Sequence, residues 1–222
     1  MKIWLQFVLF FTIVSSQPSL LFAQYDLSEV GIMAGGGYSL NPGQALVAPG
    51  PGANLNTFFS YWNCGKNYGI HSSLGLRYFQ STAEEGFFNH STPSPETRMN
   101  FTALDVGFYF KVRLHEYHRA KEWSFLMGPK LNVMLHSGLS NTVGNQTFEL
   151  LGVDPNVIFA GVHLSARYKI KLNAQFLYLQ PGAEYYPFPY LETSQGNVSN
   201  VYLFFNVGGT LWNTKQKSYR RK

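Results

Sequence analysis

The sequence predicts an all-β protein: an eight-stranded antiparallel up-and-down transmembrane β-barrel that follows a cleaved signal peptide. Three observations point there. Apolar residues recur with period two from Gln24 onward, not with the 3.6-residue period of a helix. The connections between the alternating segments are by turns long and short. The charged residues inside the segments all fall on the face opposite the apolar one.

The elements follow in order. Strand one, about 27–38, sets Val30, Ile32, Ala34 and Tyr38 against Glu29, Gly31, Met33, Gly35 and Gly37. Strand two, about 54–62, alternates more weakly. Strand three sets Ile70, Leu74, Leu76 and Tyr78 against His71, Ser73, Gly75 and Arg77. Strand four is the clearest: Thr102, Leu104, Val106, Phe108, Phe110 and Val112 oppose Phe101, Ala103, Asp105, Gly107, Tyr109 and Lys111. Strand five sets Trp123, Phe125, Met127, Leu131 and Val133 against Ser124, Gly128, Lys130 and Asn132. Strand six sets Ile158, Ala160, Val162, Leu164, Ala166 and Tyr168 against Phe159, Gly161, His163, Ser165 and Arg167. In strand seven Leu177, Leu179 and Tyr185 oppose Tyr178, Gln180, Gly182 and Glu184. Strand eight sets Val201, Leu203, Phe205, Val207 and Leu211 against Tyr202, Phe204, Asn206, Gly208 and Thr210. A tilted spanning strand needs about 9–11 residues, which each segment supplies.

Long connections are expected at about 39–53, 81–97, 136–155 and 187–197, and short ones at about 63–66, 114–121 and 169–172. An even number of strands then puts both termini on the side of the short turns, the periplasmic side of an outer-membrane barrel. Tyr38, Tyr61, Trp62, Tyr78, Tyr109, Trp123, Tyr168, Tyr185, Tyr186 and Trp212 lie near strand ends and are expected to form two interfacial girdles. Pro129 and Pro181 fall on the apolar face, where each removes a ladder donor and so predicts a bulge or bend.

Composition agrees with this reading. The 222 residues are only 13% charged but 17% aromatic, with 21 glycines, which is unlike a disordered chain. The net charge is +5, and Lys215, Lys217, Arg220, Arg221 and Lys222 crowd the last ten residues. These bases form no patterned helix or nucleic-acid motif, so no nucleic-acid partner is expected; a solvated tail beside anionic headgroups fits them better. Lys2, the apolar run Ile3–Val14 and Leu21-Phe22-Ala23 before Gln24 read as a secretory signal. The division is then 1–23 signal peptide, 24–213 barrel and 214–222 basic periplasmic tail. The single cysteine, Cys64, allows neither an internal disulfide nor a cysteine-based zinc site, and is expected as a free thiol in a short turn.

The polar face carries the candidate site. Glu29, Arg77, Asp105, Lys111, Lys130, Arg167 and Glu184 all point to the same side of the sheet. In an eight-stranded barrel that side is an interior that side chains just fill. Mixed signs are needed there, because an unpaired buried charge is costly. Three acids and four bases are expected to pair in good part, and His71 and His163 to be hydrogen-bonded among them.

The signal end Leu21-Phe22-Ala23-Gln24, the first strand Glu29-Val30-Gly31-Ile32-Met33-Ala34-Gly35-Gly36-Gly37-Tyr38 and Gly75-Leu76-Arg77-Tyr78 carry a resemblance. The chain resembles small outer-membrane β-barrels of the Bacteroidetes, the PorT-like and OmpA-transmembrane-domain-like group. The resemblance implies a non-enzymatic structural barrel, or an accessory subunit of an envelope machine such as type IX secretion. It implies outer-membrane lipid as surroundings and other outer-membrane or periplasmic proteins as partners. The last strand ends Gly208-Gly209-Thr210-Leu211-Trp212 and lacks the terminal phenylalanine of many proteobacterial barrels.

Two alternatives stand beside this reading. A lipid-modifying outer-membrane enzyme would draw on His136 with Ser137 and Ser140, or on His90 with Ser91; no specific motif supports it. A small-solute channel conflicts with a filled interior. His115 and His118, three apart in a turn, are expected to be solvated rather than metal ligands. Gly35-Gly36-Gly37 lies inside a strand and opens no helix, so it is not a phosphate loop. No cofactor and no metal are expected.

Overall fold

The computed structural model describes residues 25–41, 47–63, 67–83, 97–114, 121–141, 144–146, 154–172, 175–193 and 196–213. The expected signal segment 1–23, the tail 214–222, Cys64, His90, Ser91, His115 and His118 lie outside the described residues.

Eight long strands form the wall: β1 (Tyr25–Leu40), β2 (Gly50–Asn63), β3 (Tyr68–Ala83), β4 (Thr97–Arg113), β5 (Lys121–Asn141), β6 (Ile158–Leu172), β7 (Gln175–Thr193) and β8 (Gly196–Asn213). Each pairs antiparallel with its sequence neighbour, and β8 returns to pair with β1. The result is a closed eight-stranded up-and-down barrel, with no helix among the described residues. Closure is what an isolated sheet of this composition needs, since it leaves no unpaired strand edge. Three short pieces, Val47–Ala48, Gly144–Gln146 and Asp154–Pro155, extend the wall at the end opposite the termini, here termed the loop end.

Side-chain parity follows the alternation. On β4 the odd-numbered residues Phe101 to Arg113 face the lumen, while Phe108 and Phe110 are exposed on the outside. On β6 Phe159, His163, Ser165 and Arg167 face inward, and Val162 and Leu164 outward. The strands are longer than a membrane crossing requires, with 21 residues in β5 and 19 in β7.

Three expectations are corrected. The connection after strand seven is not long: β7 and β8 run on as a hairpin in which Thr193 pairs with Gly196. A register shift between Tyr186 and Leu191 absorbs Pro187 and Pro189, and pairing resumes beyond them.

Pro129 and Pro181 make no bulge. The β4–β5 register is the same on both sides of Pro129, from Gly107↔Lys130 to Phe110↔Met127. The β6–β7 register is likewise unchanged from Leu179↔Tyr168 to Gly182↔Ser165. Each proline interrupts one ladder and stays paired in the other. The register shifts fall elsewhere, at Leu27/Glu29, Val30/Gly31 and Thr102/Ala103 as well as on β7.

Trp62, Tyr109 and Tyr186 do not join the outer girdles. Trp62 is 2% exposed, against 41% for Trp123. All three share parity with inward polar residues, Trp62 with Ser60, Tyr109 with Asp105, and Tyr186 with Glu184.

The outer face is an apolar belt. Ile32, Leu55, Leu74, Leu76, Phe108, Phe110, Met127, Val162, Leu164, Phe205 and Val207 are all exposed. Tyr38, Tyr78 and Tyr185 border it toward the loop end. Tyr68, Trp123, Tyr168 and Trp212 border it toward the termini, Trp123 and Tyr168 lying ring to ring at 4.7 Å. Among the described residues no Asp, Glu, Lys or Arg faces outward between these borders. Tyr68 and Tyr78 are ten residues apart on one strand. At about 3.4 Å per residue and a tilt of roughly 40° the belt is about 25 Å tall, the height of a bilayer-facing band.

Candidate functional site: the filled interior

The interior is built in layers from the same inward positions. At the loop end sits an aromatic cap. Phe79 on β3 and Phe101 on β4 stack at 4.9 Å, and the Tyr190 ring of β7 meets them edge-on at 5.4 and 5.1 Å. Phe159, Tyr186, Tyr202 and Leu191 complete it, all buried. Narrow wall positions make room for these rings. A Cβ at Gly37 would lie 2.5 Å from Tyr202 Cζ, and one at Gly52 2.8 Å from its Cε2.

Below the cap lies a charge cluster drawn from five strands. Arg77 Nε donates to Asp105 Oδ2 at 3.1 Å, and Arg77 Nη2 to Glu184 Oε2. Lys130 Nζ bridges the same two carboxylates, at 2.7 Å to Asp105 Oδ2 and 2.9 Å to Glu184 Oε1. Tyr186 OH accepts from Arg77 Nη1 at 2.9 Å and donates to Glu184 Oε2 at 2.7 Å. His163 Nδ1 is 2.8 Å from Glu184 Oε1, which places the ring proton on Nδ1; Nε2 then accepts from Ser165 Oγ at 2.8 Å. Two cations thus face two carboxylates. That balance is what makes burial tolerable in a lumen with little water.

The next layer holds Arg167 apart from any acid. Among the described residues no carboxylate lies within 4.0 Å of its guanidinium. Neutral acceptors serve it instead: Nε donates to Gln180 Oε1 at 2.9 Å and Nη2 to His71 Nε2 at 3.0 Å. The rings of Phe58 and Tyr178 lie 4.9 and 5.3 Å from its Cζ, a cation–π contribution on two sides. His71 Nδ1 meets Ser60 Oγ at 2.7 Å. Tyr109 stacks on both histidines, 4.2 Å from His163 and 5.8 Å from His71. Its hydroxyl occupies the space over Gly107, where a Cβ would come within 2.7 Å of Ser73 Oγ and closer still to the phenol.

A second charge cluster closes the terminal end. Glu29 pairs with Lys169 and, at 3.7 Å, with Lys111; Arg113 Nε forms an ion pair with Glu122 Oε2 at 3.0 Å. The Trp62 ring receives Lys111 Nζ at 4.2 Å and Arg113 Cζ at 3.9 Å.

The seven charges expected inside therefore divide three ways. Arg77, Asp105, Lys130 and Glu184 meet in one cluster, Glu29 and Lys111 in another, and Arg167 stands between them without an acid. Sequence reasoning missed Lys169, Arg113 and Glu122, which it assigned to turns or strand ends, and Tyr186, which it placed outside. Continuing the period-two parity by one or two residues would have found all four.

Between the clusters is a cavity of about 20 Å³, room for about one water, lined among others by Asn54, Asn56, His71, Arg167 and Asn206. Among the described residues no group of three His, Cys, Asp or Glu could hold a metal ion. His136 is exposed on the outer face of β5 near the loop end, and among the described residues no hydrogen bond joins it to Ser137. The arrangement supplies interlocked ion pairs and stacked rings, and its chain of Glu184, His163 and Ser165 is buried within them.

No protein-family model and no curated protein matches the chain. Among solved structures, Neisserial surface protein A aligns at 10% identity and a TM-score of 0.46, covering 83% of this chain and 97% of that one. The N-terminal β-barrel domain of Pseudomonas aeruginosa OprF aligns at 8% identity and 0.33, over 83% and 99%. The Yersinia pestis outer membrane protein Ail aligns at 14% identity and 0.31, over 82% and 99%. The fold assignment stands on the strand pairings themselves.

Proposed function

We propose that the chain is a bacterial outer-membrane barrel with a side-chain-filled lumen. It acts without catalysis, as a structural barrel or as an accessory subunit of an envelope machine, with both termini periplasmic. The observation that carries this is an inverted distribution of polarity. The belt facing outward is apolar and free of charge, while the lumen holds Arg77, Asp105, Lys130, Glu184 and Arg167 nearly inaccessible to solvent. A soluble barrel would place them the other way round. Type IX secretion is the machine named by the PorT-like resemblance. Affinity purification from outer membranes tests it: co-purifying secretion components support it, and their consistent absence removes it.

The membrane placement has its own test. Trp62, Trp123 and Trp212 are the tryptophans of residues 24–213. In single-tryptophan variants reconstituted with brominated lipid, fluorescence of Trp123 and Trp212 is quenched and that of Trp62 is spared. Equal quenching of all three would contradict the parity, and no quenching of any would contradict the membrane reading.

A further inference from the structure

Among the described residues, a polar patch adjoins the apolar belt on the outer face at the loop end. On β3 and β4, at the loop end, cross-strand pairing sets Tyr78 opposite Thr102, Gln80 opposite Asn100 and Thr82 opposite Arg98. β5 continues the rows, with His136 opposite Thr102 and Gly138 opposite Asn100. Tyr78, Arg98 and His136 are exposed. Tyr78 OH and Gln80 Nε2 both donate to Asn100 Oδ1, at 2.8 and 2.7 Å. Both lone pairs of that oxygen are taken up, so it presents no acceptor to repel an anion. At Gly138 the wall is low: a Cβ there would meet only His136 Nε2, at 3.2 Å.

Charge makes the place distinctive. Read along the sequence, the loop-end segments 39–53, 79–102, 134–158 and 185–203 contain six acids, Glu84, Glu85, Glu96, Glu149, Asp154 and Glu192. They contain one base, Arg98. Arg98 makes no ion pair among the described residues. Thr82 and Arg98 lie four residues beyond Tyr78 along the strand, about 10 Å past the girdle, which is headgroup depth.

We infer that this patch binds the phosphate of an anionic membrane lipid in the loop-side leaflet. Arg98 supplies the charge, Gln80 and Thr82 flank it with polar groups, and the acyl chains run down over Leu76 and Leu104. The inference rests on the membrane placement proposed above. Continuity of the patch with the apolar belt selects a lipid over a free phosphate, which would gain nothing from the hydrocarbon below.

The test is native mass spectrometry of the full chain released from nanodiscs that mix phosphatidylglycerol and phosphatidylcholine. The wild type is expected to retain phosphatidylglycerol selectively, and Arg98→Ala to retain about fivefold less. Lys121→Ala, at the opposite rim, is expected to behave as wild type, and added inorganic phosphate to leave retention unchanged. Equal retention by the wild type and Arg98→Ala would overturn the site while leaving the membrane reading intact. So would loss of retention to inorganic phosphate at millimolar concentration. Failure of the wild type to enter nanodiscs at all would overturn both.

Discussion

Arg77 on β3 and Glu184 on β7 are 107 residues apart in sequence and join directly across the lumen. Neither strand neighbours the other in the sheet. The pair therefore ties opposite walls together, and with Asp105 and Lys130 it links four strands. Arg77→Ala leaves two buried carboxylates with Lys130 as their main cation. We expect a loss of about 3–5 kcal/mol of stability, read by urea unfolding in lipid vesicles. Arg77→Ala combined with Glu184→Gln should recover part of that loss, since the stranded charge is removed. A strictly additive double variant would mean that the two residues act independently.

The aromatic cap makes a separate contribution. Phe101 is fully buried between Phe79 and Tyr190. Phe101→Ala should cost about 3–5 kcal/mol in the same unfolding assay. The charge layer beneath stays in place, so the variant should remain electrically closed. A large conductance from this single change would show that the cap alone seals the barrel.

Outward substitutions should follow depth. Leu164 lies near the middle of the belt and Leu211 near its terminal edge. Leu164→Arg is expected to cost about 2–4 kcal/mol in bilayers, and Leu211→Arg about 0–1 kcal/mol. Equal costs would contradict the placement of the belt in hydrocarbon.

Orientation has a chemical handle in Cys64, the chain's single cysteine, in the connection between β2 and β3 on the same end as the termini. With that end periplasmic, a membrane-impermeant maleimide should leave Cys64 unmodified on intact cells and label it once the outer membrane is opened. Labelling on intact cells would reverse the orientation.

Much of this architecture was legible because period-two alternation assigns a face to every strand residue. That rule alone put Arg77, Asp105, Lys130 and Glu184 inside. It could not say which would meet, because partners such as Arg77 and Glu184 come from strands that share no ladder. It failed where other signals were allowed to outweigh it. Trp62 and Tyr186 were placed in girdles for being aromatic near strand ends, although parity put them with Ser60 and Glu184. The long connection expected at about 187–197 was not legible as strand, because a sequence does not show that a register shift will carry the ladder past Pro187 and Pro189. Arg98 drew no notice, since its meaning depends on a cross-strand neighbourhood that only the pairings reveal.

The central claim is a membrane barrel closed by its own side chains. It is tested most directly by recording current across a planar bilayer after fusing proteoliposomes in which quenching of tryptophan fluorescence by brominated lipid has confirmed insertion. The account predicts a baseline indistinguishable from protein-free membranes. Steady, reproducible unitary currents from the inserted wild type would contradict it.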